Sequence, residues 1–168
     1  MNRRHFVATL AGLFALERAA FAQKVESPAK IEKLVLPQAE WRKRLTPEQF
    51  AVLRQESTER PGSSPLNGEK RNGTFVCAGC DLPLFKSETK YESGTGWPSF
   101  FSFIPASLVT KTDFKLILPR TEYHCARCEG HQGHMFDDGP KPTGKRYCNN
   151  GVALKFVPRG DKLPELRT

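Results

Sequence analysis

The chain has 168 residues, of which 38% are hydrophobic, 10% aromatic and 26% charged. That balance excludes a disordered polymer and allows one domain with short appendages; no apolar run reaches the roughly 18 residues that a membrane span needs. The formal charge of +8 raises nucleic acid as a partner, but the basic residues are scattered and no run exceeds Arg42-Lys43-Arg44, as on a solvated surface.

Residues 1–22 read as an export leader. Asn2-Arg3-Arg4-His5-Phe6-Val7 carries a twin-arginine pattern, an apolar stretch runs from Phe6 to Leu16, and Ala20-Phe21-Ala22 offers an A-x-A cleavage site. The alternative is an amphipathic N-terminal helix of a cytoplasmic protein. A leader makes the protein periplasmic or exported, with no membrane attachment after cleavage. It holds Arg3, Arg4 and Arg18 against Glu17, which leaves the mature chain near +6. Residues 23–39 form a polar, proline-flanked linker or extension, 40–160 the domain, and 161–168 a C-terminal tail.

The first clear helix starts at Thr46. Thr46 caps, Pro47 suits the first turn, Gln49 completes a capping box, and Leu45 and Phe50 bracket the cap as a hydrophobic staple. It fades over Gln55–Glu59, before Pro61-Gly62. Strand signals follow in Thr74-Phe75-Val76, Leu82-Pro83-Leu84-Phe85, Lys115-Leu116-Ile117-Leu118, Glu122-Tyr123-His124 and Val152–Phe156. Thirteen glycines and thirteen prolines favour short strands and tight turns. The expected architecture is mainly β and antiparallel, with one or two N-terminal helices packed alongside.

Five cysteines divide into two C-x-x-C pairs, Cys77/Cys80 and Cys125/Cys128, and a lone Cys148. Two such knuckles can close a tetrahedral S4 zinc site with no open position, hence structural. Gly79 would help the first knuckle curl. Two disulfides and a thioredoxin-like redox pair are the other readings; Asp81-Leu82-Pro83 does not open the helix that the second requires.

Arg146-Tyr147-Cys148-Asn149-Asn150, read as extended chain, puts Arg146, Cys148 and Asn150 on one face. A fixed cation there lowers a thiol pKa, while a buried structural cysteine is the plain alternative. Between the second knuckle and Cys148 lies Gly130-His131-Gln132-Gly133-His134-Met135-Phe136-Asp137-Asp138-Gly139-Pro140. Its histidines suit proton transfer, and Asp137 or Asp138 could fix a tautomer; a turn beside the metal clamp would need neither. In Gly94-Thr95-Gly96-Trp97-Pro98-Ser99-Phe100, Pro98 holds Trp97 extended, either as the wall of an apolar pocket or as core.

Taken together, these stretches resemble the B-type methionine sulfoxide reductases over roughly residues 40–158. The resemblance implies two antiparallel sheets, a structural zinc on Cys77, Cys80, Cys125 and Cys128, and reduction of the R epimer of methionine sulfoxide in oxidised proteins. By the same resemblance Cys148 is the nucleophile, His131 or His134 the proton donor, and Trp97 the wall for the substrate methyl, with Phe136 a second wall. Arg146 supports the thiolate, Asn150 positions substrate and Asp137 orders the site. Many members carry a resolving cysteine where this chain has Thr95. With four cysteines on zinc, the oxidised Cys148 is expected to need an outside thiol, such as a thioredoxin-like protein. The protein is expected to be a monomer. A basic zinc-ribbon that binds nucleic acid explains the clamp and the charge but not Cys148 or the histidines. A cysteine–histidine hydrolase would form an acyl-enzyme on Cys148.

Overall fold

The structure is a computed structural model that describes residues 31–114 and 119–168. The expected leader at 1–22 and the strand expected at 115–118 lie outside the described residues.

Two helices lead the described chain, α1 over Gln38–Arg44 and α2 over Pro47–Gln55. The predicted capping box is present: the Gln49 backbone N–H donates to Thr46 Oγ1, and the Thr46 N–H donates to Gln49 Oε1, both at 3.2 Å. Leu45 and Phe50 on either side of the cap are buried. α2 ends at Glu56, in the left-handed region at φ 55°.

Among the described residues nine strands follow: β1 Gly73–Cys77, β2 Pro83–Lys86, β3 Lys90–Tyr91, β4 Ser99–Phe100, β5 Leu108–Asp113, β6 Arg120–Cys125, β7 His131–Phe136, β8 Arg146–Asn149 and β9 Leu154–Pro158. They form a three-stranded sheet in the order β2-β1-β9 and a six-stranded sheet in the order β3-β4-β8-β7-β6-β5. Every pairing is antiparallel. The expected mainly-β fold with two antiparallel sheets and N-terminal helices is therefore the observed one.

Aromatic side chains join the layers. Phe75 of β1 and Phe85 of β2 meet Phe100 of β4, the first edge-on at 5.0 Å and the second stacked at 4.1 Å between ring centroids. Tyr123 and Tyr147 extend this cluster across the larger sheet, edge-on at 5.5 Å. Trp41 and Leu53 of the helices are buried in the same core. Burial of each such side chain contributes about 1.5–3 kcal/mol, so this cluster is the main source of attraction between the sheets.

Two local expectations change. Val152 and Ala153, read as strand, lie in a 3-10 turn over Gly151–Ala153, and β9 begins at Leu154. The Glu59 carboxylate takes the backbone N–H groups of Gly151 and Val152, which removes them from any ladder. The knuckle turns do not depend on Gly79. Their left-handed residues are Asp81 (φ 64°) and Glu129 (φ 58°), each directly after the second cysteine of its pair. Arg127 stands in the second knuckle where Gly79 stands in the first.

Candidate active site

The two knuckles close on each other. Cys77 Sγ lies 3.6 Å from Cys128 Sγ, and Cys80 Sγ lies 3.5 Å from Cys125 Sγ. All four sulfurs fall within 4.8 Å of one another and all four cysteines are buried. A zinc–sulfur bond of about 2.3 Å in a tetrahedron implies sulfurs about 3.8 Å apart, so the four residues fit a single metal ion and are not disulfide-bonded. Hydrogen bonds within the cluster hold Cys80 far below the usual thiol range and push Cys77 up.

Cys148 lies elsewhere, on β8. In the ladder it stands opposite His134 of β7 on one side and opposite Ser99 of β4 on the other. β7 and β8 approach closely because position 133 is glycine: a Cβ there would fall 1.9 Å from the Cys148 carbonyl oxygen. Trp97, Phe136, His134, Arg120 and Asn150 line a cleft of about 190 Å³ with Cys148. A larger groove of about 670 Å³ lies beside it, between α2 and β9, but contains no cysteine or histidine.

The Trp97 loop is pinned from behind. Gly96 sits at φ 91°, and a Cβ on it would come within 2.8 Å of Pro61, so no L side chain fits there without strain. The Gly62 N–H donates to the Gly96 carbonyl at 2.7 Å, and the Trp97 indole N–H donates to the Glu59 carbonyl at 3.1 Å.

Arg146 makes a paired contact with Asp138, Nε to Oδ1 and Nη2 to Oδ2, both at 2.8 Å, and covers the Phe136 ring at 4.3 Å. The guanidinium and a hydrogen bond from Thr95 pull the Cys148 thiol down, but burial pushes it up by more. Thr95 belongs to a hydroxyl chain, with Ser93 Oγ 2.8 Å from Thr95 Oγ1 and 2.7 Å from Ser99 Oγ.

The two histidines part company. His134 lines the cleft, and its Nε2 donates to Asp113 Oδ2 at 2.8 Å; Asp113 also takes Arg120 Nη2 at 2.7 Å. His131 is fully buried behind it, with its ring 5.6 Å from that of His134 and its Nδ1 on Glu122 Oε1. Asp113 and Glu122 thus meet the histidines, whereas Asp137 sits at the surface against Lys145 and Asp138 serves Arg146. Glu122, His124 and His131 also lie within metal-ligand reach of one another. The Lys111 ammonium, 3.3 Å from Glu122 Oε2, already supplies a cation there.

Burial lowers the His131 pKa to about 4. An unfolded histidine binds a proton below about 6.5, so between those values the unfolded state holds more protons than the folded one. Stability is complete above that window and falls with pH through it. Urea unfolding should show His131 removing about 3 kcal/mol between pH 7 and pH 4, and a His131→Gln variant should lose that much less over the same interval. Equal pH slopes for the two proteins would refute it.

Asn150 is held at both ends of its amide. Nδ2 donates to the Gln132 carbonyl at 3.0 Å and Oδ1 accepts from the Glu59 N–H at 3.0 Å. Gln132 also donates through Nε2 to Cys77 Sγ at 3.4 Å, so a single residue of β7 touches both the metal clamp and the Cys148 strand. Sequence reasoning missed Gln132, Arg120, Asp113, Glu122 and Glu59. For Gln132 a signal existed, its place between His131 and Gly133.

The SelR-domain family model matches residues 45–158. The chain belongs to this family, that of the B-type methionine sulfoxide reductases. It is 54% identical over 118 residues to the peptide methionine sulfoxide reductase MsrB of Methanosarcina barkeri, covering 70% of this chain and 83% of that one. Over 131 residues it is 52% identical to the MsrB of Pseudomonas putida, covering 77% of this chain and 96% of the other. The chloroplastic reductase B1 of Arabidopsis thaliana is 50% identical over 133 residues, which span 79% of this chain and 66% of the relative. Membership of the SelR family makes the chain an oxidoreductase and sets aside the zinc-ribbon and hydrolase readings.

Proposed function

We propose that this protein reduces the R epimer of methionine sulfoxide in oxidised proteins, with Cys148 as nucleophile. The supporting observation is the cleft itself, where a single thiol that no metal claims stands opposite His134 and beside the Trp97 and Phe136 rings. A methyl group fits against the indole, and the sulfoxide oxygen fits toward the polar side of the cleft. The unclaimed second hydrogen of Asn150 Nδ2 is available to orient the substrate.

The Cys148 sulfur attacks the sulfoxide sulfur. His134, steadied by Asp113, gives a proton to the oxygen directly or through water, and the proton leaving the thiol restores it. The oxygen then passes from the methionine sulfur to the cysteine sulfur: a Cys148 S–O bond forms, the methionine S–O bond and the transient sulfur–sulfur bond break, methionine leaves, and Cys148 is left as a sulfenic acid. The sulfoxide gains two electrons and the cysteine loses two. His131, neutral and buried, backs His134 without reaching the cleft. Thr95 hydrogen-bonds to Cys148 but cannot form a disulfide with it. Two thiols of an external donor such as a thioredoxin-like protein then reduce the sulfenic acid, releasing water and one disulfide.

The metal on Cys77, Cys80, Cys125 and Cys128 is zinc in this reading, and when bound it crosslinks the two knuckles without touching substrate. The twin-arginine pattern supports export as a folded, metal-loaded protein. Turnover of separated epimers of a methionine sulfoxide peptide tests the reading. The R epimer should be reduced and the S epimer left intact; reduction of S alone, or of neither, refutes it.

A further inference from the structure

Glu59 lies in the loop after α2 and has no role in the reaction as written, yet four hydrogen bonds converge on it. Its carboxylate accepts the Gly151 N–H at 2.6 Å and the Val152 N–H at 2.9 Å. Its own N–H donates to Asn150 Oδ1 at 3.0 Å, and its carbonyl accepts the Trp97 indole N–H at 3.1 Å. Three segments distant in sequence therefore meet at one residue: the loop after α2, the Trp97 loop, and the turn that leaves the Cys148 strand.

We propose that Glu59 is a positioning residue, setting the distance between the indole wall and the Cys148–Asn150 segment. The proposal rests on the sulfoxide-reductase reading of the cleft and adds a residue to it. A carboxylate gripping two consecutive N–H groups makes charge-assisted bonds, stronger than neutral ones. Those groups belong to the first two residues after Asn150, so the grip fixes where β8 ends. The turn is also closely packed against its neighbours: a Cβ on Gly151 would fall 2.0 Å from Ser64 Oγ. Because the same residue holds Trp97 through its backbone, a shift of Glu59 moves both walls. A misplacement of about 1 Å in such a site costs on the order of a hundredfold in rate.

Glu59→Gln keeps the shape but replaces one acceptor oxygen by a donor that opposes an N–H. Its kcat/KM on the R-sulfoxide should fall by about 10- to 100-fold. Alkylation of Cys148 by iodoacetamide, which needs the thiolate but no aligned walls, should stay within about twofold of wild type. In protein labelled with 5-fluorotryptophan, the Trp97 resonance, assigned with Trp97→Phe, should move while that of buried Trp41 stays. Glu59→Asp, which keeps the charge and shortens the reach, should show the same pattern and carries the test if Glu59→Gln does not fold. An unmoved Trp97 resonance overturns the proposal, as does alkylation slowed as much as turnover. If wild type reduces no sulfoxide, the functional reading fails, while the fluorine resonances still decide the matter for Glu59.

Discussion

Cys148→Ser should lower turnover of methionine-R-sulfoxide by at least about a thousandfold. The serine hydroxyl occupies the same half-buried position opposite His134, but its oxygen is a far poorer nucleophile toward sulfur, and it cannot form the sulfenic acid that carries the oxygen away. Thermal stability should change little, because the substitution creates no large cavity and Cys148 is not in the metal clamp. A companion measurement reads the intermediate. Wild-type protein given substrate but no reductant should release one equivalent of methionine, gain one oxygen atom on Cys148, and contain no intramolecular disulfide. Equal turnover by the serine variant would remove Cys148 from the chemistry. A disulfide from Cys148 to a knuckle cysteine would replace the one-cysteine cycle with an internal one.

Stripping the metal, or replacing Cys125 by serine, should abolish cooperative unfolding at 25 °C. Structural zinc sites contribute about 10–16 kcal/mol in isolated fingers, and a domain of this size has about 5–15 kcal/mol in all. The clamp holds the end of β1 to the end of β6, with Leu53 of α2 lying against both turns: built Cβ atoms on Gly79 and Gly130 would come 3.7 Å and 2.8 Å from its methyls. Without the ion, four buried thiols remain and the Gln132 link from Cys77 to the Cys148 strand loses its anchor. A colorimetric zinc assay should find one ion per chain, and near-ultraviolet circular dichroism should collapse as a chelator removes it. A metal-free protein with an unchanged melting transition would contradict this. Cys148→Ser is the control, expected to retain both the ion and the transition.

Much of the site was legible before folding. The C-x-x-C spacing and the lone fifth cysteine are local patterns whose geometry follows from covalent distances. The extended run at Arg146–Asn149 and the capping box at Thr46 are equally local, and both are present. The strands missed in the sequence explain themselves. β3 and β4 are two residues each, too short for any alternation. β5 leaves four consecutive residues exposed, so it has no buried face to announce it. β7 buries His131 and Gln132, whose polar side chains bond to Glu122, Cys77 and Asn149, and a hydrophobic-alternation rule cannot see such a strand.

The sequence alone determined how five sulfurs divide into two pairs able to share one metal ion and a lone Cys148, because ligand spacing and strand period are written in consecutive residues. Which histidine meets the cleft and which carboxylates hold the imidazoles were decided by the tertiary structure. Asp113 reaches His134 across 21 residues and Glu59 reaches Gly151 across 92. Desolvation is likewise a property of the packed whole. Contacts and dielectric of that kind exist only once β5 to β8 and the loop after α2 are packed together.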